Sequence, residues 1–140
     1  MMDLDLEARD VMTAGVVTIQ DSGTLGDAVE AMAEHRIHAI LVVGARGGTA
    51  LGWVNTRGLL GFVGADPVTP VIEAITESAK SIEPTATLRA AVYALALPGV
   101  SRLLVRSRDS DVIEGVITDY DLTVRAVRLS PPRASTPGPP

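Results

Sequence analysis

Apolar and polar positions along this chain follow a pattern that is written twice. Leu25, Ala28, Val29 and Met32 fall at the spacing that lines one face of a helix, and Leu88, Ala91, Val92 and Leu95 repeat it. Thr24 and Thr87 stand just before these runs, where a side-chain oxygen caps the free N–H groups of a first helical turn. Continuous apolar stretches at 39–43 and 103–105 read as buried strands, and the segments 16–19 and 79–82 as the short opening strands of each copy. After loops at 44–49 and 107–111 come strands at 51–54 and 113–117, each leading into a closing helix. The predicted order is β-α-β-β-α, twice.

The copies keep one register. Thr24 matches Thr87, Ala28 matches Ala91, Leu41 matches Leu104 and Gly52 matches Gly115, every pair 63 residues apart without a gap. Residues 8–66 are assigned to the first repeat and 67–129 to the second. The remaining 130–140, with five prolines, is expected to be a flexible, extended tail. A unit of about 60 residues buries only about 60% of its unfolded surface and is marginal alone. The expected fold class is therefore α+β, two repeats packed sheet to sheet with approximate two-fold symmetry. That symmetry creates two equivalent clefts between the copies. Each is lined by the strand-to-helix corner of one copy and the opening loop of the other.

Composition removes several functions. The 140 residues carry a net charge of −5, against the broad basic surface of a nucleic-acid binder, and aromatic residues are too few (3%) for base-stacking platforms. There is no cysteine, which excludes disulfides and thiolate catalysis and fits a reducing, cytoplasmic setting. Residues 1–10 lack the apolar segment of a signal peptide, and no apolar run approaches the roughly 18 residues that span a bilayer, so no membrane association is expected. His35 and His38 lie together at a helix end with no third ligand and no serine–acid partner, so neither a metal site nor catalytic residues are expected.

The stretch with chemistry is Gly115-Val116-Ile117-Thr118-Asp119-Tyr120-Asp121. A strand ends there and a helix begins, leaving N–H groups at the positive end of a helix dipole. Thr118 and Asp121 have the spacing of a capping box, and a bare helix cap is one reading of them. The other is a nucleotide corner, with N–H groups and the Thr118 hydroxyl for a phosphate and Asp121 for the paired hydroxyls of a ribose. In the first copy the same positions hold Gly52, Asn55 and Gly58, and Gly58 offers no carboxylate. One competent and one weak cleft are expected. Trp53, in register with Val116, is expected to be buried in its sheet.

The element order, this corner and the opening DVMTAGVVTI resemble the cystathionine β-synthase (CBS) domain, present as a tandem pair over about residues 8–128. The resemblance implies a regulatory module that needs no cofactor for chemistry and is not an enzyme. It would bind an adenosine-type ligand (AMP, ADP, ATP or S-adenosylmethionine) between its repeats and pair with a second copy as a homodimer through its helices. Its signal would pass to an effector protein of unknown identity. Carried onto this chain, Thr118 and Asp121 hold phosphate and ribose. Val16, Val17 and Thr18 border the adenine on one side, and Ile37, His38 and Ala39 close the other. Asn55, Lys80, Ser81, Ser101 and Arg102 form the second, weaker cleft. His38, beside Arg36, can face a phosphate and carry a pH-dependent charge. An acidic chain with few cations nearby favours AMP, ADP or a cationic adenosyl ligand over ATP. The alternative function is a structural dimerisation or interaction module whose clefts are both empty.

Overall fold

The computed structural model describes residues 4–45, 48–110 and 112–129; the Pro-rich tail, Arg46–Gly47 and Asp111 lie outside the described residues. The first copy begins with a one-turn helix α1 (Ala8–Val11) and a two-residue strand β1 (Thr13–Ala14). It continues through β2 (Thr18–Gln20), α2 (Leu25–His35), β3 (Ala39–Val43), β4 (Ala50–Asn55) and α3 (Thr56–Leu59). The second copy runs through β5 (Ser81–Ile82), α4 (Leu88–Leu95), β6 (Arg102–Val105) and β7 (Gly115–Thr118) to α5 (Ala126–Leu129). A 3₁₀ turn, Val71–Ala74, stands where α1 stands in the first copy, and a π turn, Asp121–Arg125, precedes α5.

The helix starts follow from their caps. The Asp27 N–H donates to Thr24 Oγ1 at 3.1 Å and the Thr24 N–H to Asp27 Oδ2 at 3.0 Å, a complete capping box. Thr87 Oγ1 accepts from the Ala90 N–H at 3.3 Å. Leu25, Ala28 and Met32 turn inward from α2, as do Leu88 and Ala91 from α4. Val29 and Val92, expected on those faces, are instead about half exposed, at 50% and 44%. They sit at the edge of each apolar stripe, at the same register in both copies.

Two sheets form, and they exchange strands. β2 pairs parallel to β3, which pairs antiparallel to β4. In the second sheet, ordered β1-β7-β6-β5, β5 is parallel to β6 and β6 antiparallel to β7. β1 comes from the other end of the chain and pairs antiparallel with β7, Thr13 opposite Val116 and Ala14 opposite Gly115. The following segment of the second copy returns the exchange. The Trp53 N–H donates to the Glu77 carbonyl at 2.8 Å and the Thr76 N–H to the Trp53 carbonyl at 3.2 Å. Residues 76–77 and 13–14 are equivalent in the repeat, but their pairing is offset by one residue: Glu77 bridges Trp53, whereas Thr13, the equivalent of Thr76, stands opposite Val116. The spans 8–66 and 67–129 repeat in sequence, but the compact units in space trade their leading segments.

The exchange dictates two glycines. A Cβ on Gly115 would collide with the Thr13 carbonyl and lie 2.7 Å from Met12 Sδ; one on Gly52 would collide with Ile75 and lie 2.8 Å from the Glu77 carbonyl. The crossing segments also complete the cores. Ala8 and Val11 are buried with Leu88, Ala91, Leu103 and Ile117, whereas Val71 and Ala74 are buried with Leu25, Ala28, Ile40 and Val54. Between the sheets a third cluster joins Ala39, Leu41, Trp53 and Leu104. Leu41 and Leu104 are register partners, so the halves meet on the pseudo-dyad through equivalent side chains.

Candidate functional site

At the end of β7 the chain turns through Thr118 into the π turn, and Asp121 is drawn under the corner with only 3% of its surface exposed. Its Oδ2 accepts the Thr118 N–H at 2.9 Å and the Thr118 hydroxyl at 3.2 Å; the Asp121 N–H donates back to Thr118 Oγ1 at 3.4 Å. The capping box is formed. Oδ1 accepts the hydroxyl of Thr13, carried in on β1, at 3.1 Å and lies 3.3 Å from Arg125 Nε. The Arg125 guanidinium also donates to the Met12 carbonyl at 2.9 Å, tying corner to crossing segment. A carboxylate has about four lone-pair positions, and Asp121 uses all of them internally. A ribose hydroxyl reaches it by replacing the Thr13 or Thr118 hydroxyl, each of which can then turn its own proton to the ligand.

The corner opens onto a cleft of about 1020 Å³ between the copies. Val16, Val17, Ile37, His38, Ala39, Thr118 and Asp121 all line it; Thr18, committed to β2 opposite Leu41, does not. The five residues assigned to the weaker cleft are not brought together. Ser101 and Arg102 line the same cleft as Asp121. Asn55 caps α3, its Oδ1 accepting the Gly58 N–H at 2.7 Å, and a Cβ on Gly58 would meet the Thr76 methyl at 3.0 Å. Lys80 and Ser81 belong to the β5 edge, where the Lys80 carbonyl accepts the Leu104 N–H and Ser81 faces a separate hollow near Arg106 and Arg108. The open groove is thus asymmetric: the Thr118–Asp121 corner and the Ser101–Arg102 edge both come from the second copy, and Val16, Val17 and Ile37–Ala39 face them from the first.

The family model of the CBS domain matches residues 8–65. The chain carries a CBS domain. Its second half repeats that architecture, and the whole has a fold consistent with a tandem CBS pair. No curated protein matches the chain. Among solved structures it is similar to a Vibrio cholerae protein assigned to acetoin utilization, at 29% identity over 90% of this chain and 93% of that one, with a TM-score of 0.72. It is also similar to Hypoxic Response Protein I, a structure with two coordinated zinc ions, at 25% identity over 90% of this chain and all of that one (100%), TM-score 0.70. A CBS domain protein from Pyrobaculum aerophilum, complexed with AMP, shares the fold at 16% identity over 89% of this chain and 96% of that one, with a TM-score of 0.75.

The charge inside the CBS cleft differs from the charge of the chain. Arg36, Arg102 and Arg125 line it with His38, against Asp119 and Asp121. The expectation of few local cations therefore fails, because the acidic residues behind the net charge lie mostly elsewhere. Arg36 reaches the cleft from the left-handed C-cap of α2 (φ 54°, ψ 46°), a conformation its register partner Gly99 adopts without strain. Trp53 is buried as expected, at 2% exposure, yet its ring also lines the cleft under the Arg102 guanidinium, 5.3 Å from the centroid. Sequence reasoning missed Thr13 and Arg125. Thr13 lies 108 residues from Asp121, and only the exchanged β1 brings them together; Arg125 had a local signal, four residues after Asp121 on the same turn.

Among the described residues no group of three His, Cys, Asp or Glu side chains is placed to hold a metal ion, and no helix is long and apolar enough to cross a membrane.

Proposed function

We propose that this CBS pair is a regulatory module that takes an adenosine-containing ligand in its inter-repeat cleft and passes the signal to a partner protein. The observation that carries the reading is the convergence of three kinds of group on one cleft. Apolar Val16, Val17 and Ile37 offer a slot for a flat base, the Thr118–Asp121 corner offers ribose-directed oxygens, and three arginines offer phosphate partners. The AMP found in the Pyrobaculum neighbour agrees with that class of ligand. With three arginines beside it, the cleft no longer disfavours ATP. Binding bridges β1, α2 and the β7 corner, elements of both copies, and so favours whichever arrangement brings them closest. The role is one of binding, without catalysis.

The half-exposed Val29 and Val92, with Tyr93 at 77% and Leu97 at 52% exposure, give the α2 and α4 faces an apolar surface for a second copy. A homodimer mass in light scattering is expected, and a monomer at tens of micromolar would refute it.

A thermal-shift screen against AMP, ADP, ATP and S-adenosylmethionine tests the main reading. A ligand at about 100 times its dissociation constant adds about 2.7 kcal/mol of stability. A second reading, a structural module with an empty cleft, draws on the internal saturation of Asp121. It predicts no shift with any of the four.

A further inference from the structure

The Ser101 edge of the groove already holds an anion, and the anion belongs to the protein. The Ser101 N–H donates to Glu77 Oε2 at 3.0 Å and the Ser101 hydroxyl to Glu77 Oε1 at 2.6 Å. Arg102 Nε donates to Ser101 Oγ at 3.3 Å while its guanidinium covers Trp53. A backbone N–H and a hydroxyl meet the two carboxylate oxygens, and the Arg102 guanidinium backs the hydroxyl; such donors recognise a carboxylate or a phosphate. Beside them the Trp53 indole Nε1–H is buried with no acceptor among the described residues. This end of the cleft is rich in donors and supplied with one internal acceptor.

The other copy shows that the fold does not require this arrangement. At the register positions of Glu77, Ser101, Arg102 and Trp53 it has Ala14, His38, Ala39 and Val116. Ala14 lies in the corresponding crossing, opposite Gly115 where Glu77 bridges Trp53, and has no polar side chain to offer His38. Glu77 also keeps its crossing through backbone bonds to Trp53 that its side chain does not enter.

We propose that Glu77 is a specificity residue of the groove: its carboxylate occupies the Ser101–Arg102 anion subsite and confines an anionic ligand to the Thr118–Asp121 end. For the ligand's chemical class this rests on the reading above. With the carboxylate removed, the Ser101 donors and Arg102 become a site for a phosphate group. The loss of one charge-assisted pair on each side of that exchange decides occupancy, since the anion no longer displaces an internal rival or feels its repulsion.

The test reads the Ser101 and Thr118 amide signals in two-dimensional NMR spectra of the full chain, titrated with AMP and, separately, inorganic phosphate. In the unmodified protein Ser101 is expected to stay silent. In Glu77→Ala it titrates with both probes, at least about tenfold more tightly, a change of about 1.4 kcal/mol. Glu77→Gln, which keeps one acceptor and the side-chain shape, gives a smaller response and serves if the alanine variant loses its fold. A silent Ser101 in folded Glu77→Ala, or in both variants where only the glutamine one folds, overturns the proposal. Thr118 reports independently: if it ignores AMP in every protein while Ser101 responds in the variants, the nucleotide-corner reading fails and the role of Glu77 stands.

Discussion

Asp121 combines two jobs that conflict in any mutational test. Its four internal bonds hold the corner, the crossing strand and Arg125 together, so truncation removes structure along with any ligand contact. Asp121→Ala leaves a part-buried Thr118 N–H without its acceptor and is expected to cost about 2–4 kcal/mol, read from the urea midpoint. Asp121→Asn keeps an acceptor for that N–H and costs about 1 kcal/mol. Arg36 separates the jobs better. It pays for a left-handed backbone while its side chain lines the cleft. Arg36→Gly should stabilise the protein by about 1 kcal/mol and weaken nucleotide binding about threefold, as expected for an exposed charge contact. A stability loss would show that the Arg36 side chain carries packing the backbone argument ignores.

The elements divide by how local their causes are. Caps at Thr24 and Thr87, the apolar runs of β3 and β6, and the Thr118–Asp121 box were legible because each is fixed by neighbours three or four residues away. The exchange of β1 was not. A two-residue strand carries no periodicity, and its partner lies about a hundred residues on. The glycine pair Gly52 and Gly115 was visible as a repeat, but its cause, a backbone passing within contact distance, is a tertiary fact. After Asp121 the wider winding of the π turn shifts the register, burying Leu122 and Ala126 and leaving Val127 57% exposed. Gly115→Ala should push β1 off β7, destabilising the chain by about 1–3 kcal/mol. Hydrogen exchange should then quicken most at residues 8–15, and uniform loss of protection would contradict a local cause.

At the scale of the molecule, duplication predicted two sheets, a shared interior and two clefts between copies; among the described residues the sheets, the interior and one such cleft are present. It could not predict how far the clefts have diverged. Substitutions at equivalent positions decide that: Asp121 against Gly58, Arg102 against Ala39, Glu77 against Ala14. Net charge misled for a related reason, because it averages over a surface and the cleft is a small, arginine-lined part of it. The fold thus supplies a nearly symmetric frame, and a few unpaired substitutions give it a direction.

The most direct measurement is the map of amide chemical-shift changes when AMP is titrated into the unmodified chain. The account predicts saturable changes gathered at residues 16–17, 37–39 and 118–121, on both copies and within one cleft. Changes confined to another surface, such as the hollow by Arg106 and Arg108, or none at millimolar AMP, would contradict it.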